Sequence, residues 1–207
     1  MITQRQIKLT LLYCYILPAL YLGNGLVYYF LPNFEPSVLN TTIYEIISIW
    51  LYVGILINLK ILLTSKFGQE QLIPYFSWII RLEIIIAFSN IVGKFISDWY
   101  LIQIAWILTI VVAVPYIVIF VKIIKLKDHK LLLLRLRQFM YLTIIISFIA
   151  GTLNAIGEFS FWYRYLYGTV AYFIYIIPMI FLVLFYHRIN AEYNNIFIEE
   201  TPAANSK

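Results

Sequence analysis

The sequence is poor in most of the residues from which chemical sites are built. It holds a single cysteine, Cys14, so no disulfide can close within the chain, and no Cys/His spacing resembles a zinc or redox site. Cys14 lies inside an apolar run and reads as a buried structural thiol. The two histidines, His129 and His187, fall in a basic stretch and at the end of an apolar run, so the facing pair that a haem-binding bundle needs is missing. Retinal would need a lysine deep within a span, and the sole candidate, Lys94, lies near a span end. The motifs G-x-S-x-G, H-E-x-x-H and C-x-x-C and a glycine-rich phosphate loop are all absent. The sequence therefore predicts a non-enzymatic protein with no cofactor and no metal.

Charge is scarce as well. Asp, Glu, Lys and Arg make up 12% of the chain, about half of what a soluble domain carries, while 63% is hydrophobic and the mean hydropathy is +0.87. That balance predicts an all-α polytopic membrane protein. A length of 207 residues accommodates about six spans with short connections and leaves no room for a soluble domain. The spans are expected near 9–31, 42–64, 74–97, 100–123, 138–157 and 162–186, forming one domain over 1–190 with a polar cytoplasmic tail at 191–207. The first run is too long for a signal-peptide core, contains Pro18 and lacks a small-x-small cleavage site, so it is expected to be retained. Pro115 predicts a kink in the fourth span.

The net charge of +5 does not point to nucleic acid, because the bases gather at the ends of apolar runs. With the N-terminus placed inside, twelve of the fifteen Lys and Arg residues fall on the cytoplasmic side, Lys94 and Arg164 fall outside, and Arg81 lies within the membrane. The positive-inside rule then predicts that both termini are cytoplasmic, with a bacterial inner membrane as the default location. The densest basic stretch, KIIKLKDHKLLLLRLR at 122–137, is expected to be an anchoring loop. Its Lys122, Lys125, Lys127, Lys130, Arg135 and Arg137 are candidates for anionic lipid headgroups or an acidic partner.

Polar residues inside the spans supply the candidate site. At about 100° per residue, Glu83, Ala87, Asn90 and Lys94 share one face of the third span. Ionisable groups at that depth cost roughly 2.5–3.5 kcal/mol each, so they belong in a bundle interior or a wet cavity. Thr143, Ser147, Ala150, Asn154 and Glu158 share a face of the fifth span, and Tyr165, Gly168, Tyr172, Tyr175 and Met179 form a stripe on the sixth. Together with Glu45 these residues predict an outward-facing polar cup with aromatic walls and Glu83 at its floor. Glu83, Asn90, Lys94, Glu45, Asn154 and Glu158 are the expected ligand contacts.

The function this predicts is binding or conduction of a small molecule or ion, alone, as a homo-oligomer, or as the membrane subunit of a larger complex. Two alternatives share the same residues. The polar stripes of an assembly factor would fasten partner helices at about 0.6 kcal/mol per contact. An intramembrane enzyme would use the carboxylates of Glu45, Asp98 and Glu158 for acid–base work.

Overall fold

The architecture follows from runs of apolar residues that form helices long and apolar enough to cross a membrane. A computed structural model describes residues 3–30, 37–96, 99–126, 130–157 and 161–199. Among these residues the regular structure is helical: α1 (Gln4–Phe30), α2 (Val38–Phe67), α3 (Ile73–Phe95), α4 (Trp99–Val111), α5 (Ala113–Ile124), α6 (Lys130–Gly157) and α7 (Phe161–Glu199), with a short 3-10 turn at Glu70–Leu72. Five stretches are long and apolar enough to cross a membrane, namely Gln4–Val27, Val38–Phe67, Glu70–Phe95, Gln103–Ile124 and Tyr172–Tyr193, and the 28-residue α6 stands beside them.

Local chemistry sets the helix ends. The Ser37 side chain accepts a hydrogen bond from the Asn40 backbone N–H at 3.2 Å, so α2 starts four residues before the expected span. Gly68 stops it by adopting φ 61° and ψ 26°, a left-handed conformation that a side chain would disfavour. Pro74 follows in the first turn of α3, where a missing N–H costs nothing. The fourth span is two helices, α4 and α5, joined at Val112. Pro115 has no N–H for the Val111 carbonyl, and its ring crowds that carbonyl, so the helix breaks one turn ahead of the proline. Val112 keeps φ −62° and ψ −22° and donates to the Leu108 carbonyl at 2.9 Å. The two halves therefore continue as one bent span.

The stretch expected to be a basic loop is mostly helical. Residues 122–124 end α5, and α6 begins at Lys130, because Leu133 and Leu136 are fully buried and draw the chain into the bundle. Arg137 has a structural task there. Its guanidinium donates to the carbonyls of Ile123 at 3.1 Å, Ile124 at 3.3 Å and Leu126 at 2.8 Å, filling the acceptors that the end of α5 leaves open. Arg137→Gln is expected to lower stability by about 1–2 kcal/mol, measured as an earlier midpoint in SDS unfolding from mixed micelles. An unchanged midpoint would mean that water serves those carbonyls equally well.

Helices adjacent in sequence pack side by side, and α7 packs on both α6 and α1, so the bundle closes into a ring. The α1–α7 pair is antiparallel: Tyr15 bonds His187 near one end, and Tyr21 meets Tyr175 further along. Gly25 lets the two helices close up beyond that point, since a methyl group there would sit 3.3 Å from Tyr172 Cβ, whereas one on Gly23 would meet nothing. On the His187 side of the pair, away from Gly25, Lys66 of α2 and Glu192 of α7 form an ion pair at 2.5 Å. With α7 39 residues long, about 58 Å of helix, it continues well past any bilayer core of about 30 Å. It runs through the first nine residues of the stretch expected to be a tail.

The two ends of the ring are packed differently. Toward the end that carries Lys66, Arg137 and His187, the interior is filled by large apolar side chains at 0% exposure, among them Leu59, Phe76, Ile119, Phe139 and Phe185. Cys14 is part of this core and is buried, as its apolar surroundings predict. Toward the other end the buried described residues are mostly small: Thr42, Ser48, Ser89, Gly93 and Ala105. The outside of the ring is apolar on every side, with Leu12, Trp50, Trp78, Phe88, Ile107, Tyr141 and Ile180 all more than half exposed. Such a surface exceeds what a soluble monomer presents to water and is consistent with integration in a membrane.

Candidate functional site

Small side chains in one half of a closed ring leave a void, and the void is lined with polar groups. A cavity of about 320 Å³ lies inside the bundle and is bounded by residues from α1, α2, α3, α4, α6 and α7. From α3, Glu83, Ala87 and Asn90 face it, three members of the stripe that sequence periodicity assigns to one helical face. Glu45 and Ser48 line it from α2, Thr109 from α4 and Ser147 from α6. Five tyrosines complete the wall: Tyr21, Tyr44, Tyr52, Tyr172 and Tyr175. Two pairs of these rings touch, Tyr44 with Tyr172 edge-on at 6.1 Å and Tyr21 with Tyr175 at 6.0 Å.

The floor of the cavity is a contact across the ring. The Tyr52 hydroxyl on α2 hydrogen-bonds the Tyr116 hydroxyl on α5, and Tyr116 is already part of the apolar core. Val112, at the α4–α5 bend, also lines the cavity. The bend therefore sits where the empty half of the bundle meets the filled half.

The charged groups divide into one that is satisfied and one that is not. Lys94, in the last turn of α3, forms an ion pair with Glu45 Oε1. The second oxygen, Glu45 Oε2, is buried with no hydrogen-bond partner, and so is Ser48 Oγ. Among the described residues, neither Glu83 nor Asn90 makes a hydrogen bond or ion pair with the protein, although both face the cavity. Glu45 Oε2 and Ser48 Oγ are buried, and buried polar groups in folded proteins are overwhelmingly paired, so unpaired groups around one void call for an account. If these side chains served only to fasten helices, they would bond to one another.

The structure brings together Glu83, Asn90, Glu45 and, through Glu45, Lys94. Of Asn154 only the backbone on α6 is described, and Glu158 lies outside the described residues, as does Asp98. Glu45, the third carboxylate expected of an acid–base set, is engaged by Lys94. At the basic end, Lys122 donates to Gln71 at 3.2 Å and lies over the Tyr75 ring. Arg135 bonds Gln138 and lies 6.0 Å from the Phe181 ring, and Lys125 is exposed. Lys127 lies outside the described residues, and of Lys130 only the backbone is described.

Sequence reasoning missed Tyr21, Tyr44, Ser48, Tyr52 and Thr109. The α2 group had a signal: Tyr44, Ser48 and Tyr52 stand four apart, and Glu45 and Ile49 fill the neighbouring row, which together make one inward face. The chain matches no family model, no curated protein and no solved structure.

Proposed function

We propose that this protein is a non-enzymatic helical membrane protein that binds a small molecule in the central cavity, taken up from the side opposite its basic end. The carrying observation is the set of polar groups that face the void without bonding each other: Glu83, Asn90, Glu45 Oε2 and Ser48 Oγ. A volume of about 320 Å³ falls at the small end of ligand pockets, and an apolar wall with a few converging polar groups is their usual make-up. Under the positive-inside rule the basic end faces the cytoplasm, both termini with it, and the cavity lies in the outer half of the membrane. The packed inner half then closes the route to the cytoplasm in this conformation, as an outward-facing binding state requires. A bacterial inner membrane fits this orientation.

Thermal unfolding of the purified protein across a panel of amines, alcohols and carboxylates tests the reading. A compound present at about 100 times its dissociation constant adds about 2.7 kcal/mol to stability, which raises Tm by about 5 °C or more in a chain of this size. Ala87→Trp, which fills the cavity from α3, is expected to abolish that rise. If no compound shifts the wild type, and Glu83→Gln melts earlier than wild type, the polar groups are helix fasteners and the proposal fails.

A further inference from the structure

The cavity carries a charge imbalance that a ligand can answer. Its described lining holds two carboxylates, Glu45 and Glu83, and no Lys, Arg or His. Lys94 neutralises Glu45 from beside the cavity. Glu83 has no counter-charge among the described residues. A charge kept out of water is costly unless it is paired and hydrogen-bonded.

We infer that the ligand is a small organic monocation, bound with its charged centre at Glu83 and enclosed by the tyrosine wall; this rests on the cavity being a binding site. An anion would enter beside a carboxylate with no counter-charge, and a neutral guest would leave that carboxylate to be neutralised by a proton alone. A cation supplies the missing charge, and a primary or secondary ammonium also offers N–H donors to Glu83 and to the Asn90 amide oxygen. The rings of Tyr21, Tyr44, Tyr52, Tyr172 and Tyr175 surround the same space. Aromatic faces attract cations, and cages of such rings are the common means of recognising ammonium groups. Ile49, Ile86 and Val112 in the lining give an apolar body something to pack against.

A bare metal ion fits less well. Calcium and magnesium take six or more oxygen ligands converging within about 2.6 Å, zinc takes three or four His, Cys, Asp or Glu ligands, and no group of three such residues comes together among the described residues. One carboxylate in a space of about 320 Å³ suits a molecule with its own bulk.

Calorimetric titration of the full chain in nanodiscs separates the possibilities. The probes are choline and benzyltrimethylammonium, each beside its uncharged isostere, 3,3-dimethylbutanol and neopentylbenzene, with benzoate as the anion. Each cation is expected to bind at least tenfold tighter than its isostere, and Glu83→Gln to remove that preference. Glu83→Asp keeps the charge and withdraws it by one methylene, so it should weaken the cations while leaving the isosteres unchanged; it decides the matter should Glu83→Gln fail to fold. Cation preference that survives loss of the Glu83 charge overturns the inference. Isosteres or benzoate that bind as well as the cations, and lose binding in Ala87→Trp, overturn the ligand class while the cavity stands as a site. Absence of binding by every probe overturns the inference, and the cavity falls with it as a site when the wider thermal panel also finds no stabilising compound.

Discussion

Lys94→Met is expected to destabilise the protein by about 2 kcal/mol, and more than Glu45→Gln does. Removing one partner of a fully buried ion pair typically costs about 3–5 kcal/mol, because the other charge stays behind uncompensated. Here the pair is partly accessible, with side-chain exposures of 36% for Lys94 and 22% for Glu45, which lowers the figure. The two partners are not equivalent. Glu45 already has one oxygen buried without a hydrogen bond, so losing Lys94 strands the whole carboxylate. Lys94 sits in the last turn of α3, where the helix dipole favours a cation and a flexible stem reaches water. Glu45→Gln should therefore cost about 1 kcal/mol, and the double variant about the same as Glu45→Gln alone. SDS-unfolding midpoints of the four proteins close the cycle. Additive losses would mean that the two residues act independently and that the pair contributes nothing to holding α2 against α3.

The same pair shows how far sequence reasoning reaches in a chain of this kind. Periodicity within one helix placed Glu83, Ala87 and Asn90 on a common face, and the structure sets all three around one cavity. Periodicity says nothing about which residue on another helix stands opposite. Glu45 lies 49 positions from Lys94, and nothing local to either announces their meeting. The spans themselves were readable because apolar runs of that length are rare outside membranes. Their ends were not, since a helix stops where a cap or a proline stops it rather than where the hydrocarbon does. Ser37 and Gly68 lengthen α2 in this way, and Leu133 and Leu136 turn an expected basic loop into the first turns of α6. The cavity wall was half visible. Tyr172 and Tyr175 stood out as a stripe, but Tyr21 is one of five tyrosines in α1 and gains its place only because α1 closes the ring against α7. In a chain with 18 tyrosines, composition cannot say which of them line a cavity and which face lipid.

Phe76→Ala is expected to cost about 2–3 kcal/mol and to leave ligand binding in the opposite half of the bundle intact. Phe76 is fully buried on α3 in the filled half, about two turns of helix from Glu83. In water the loss would include the transfer of the ring out of solvent, but in a membrane the unfolded helix keeps that ring in lipid, so the transfer part largely cancels. What remains is the void: about 100 Å³ of missing side chain at about 24 cal/mol per Å³ gives about 2.4 kcal/mol where the surroundings do not collapse. That loss falls on the packing of the filled half, and the cavity beyond the Tyr52–Tyr116 contact keeps all of its lining residues. The expected pattern is a lower unfolding midpoint with an unchanged dissociation constant for whichever probe binds wild type. Ala87→Trp should give the reverse, lost binding with little change in midpoint. A Phe76→Ala protein that loses binding in proportion to its stability would show that the two halves act as one unit. The filled half would then shape the site as well as seal it.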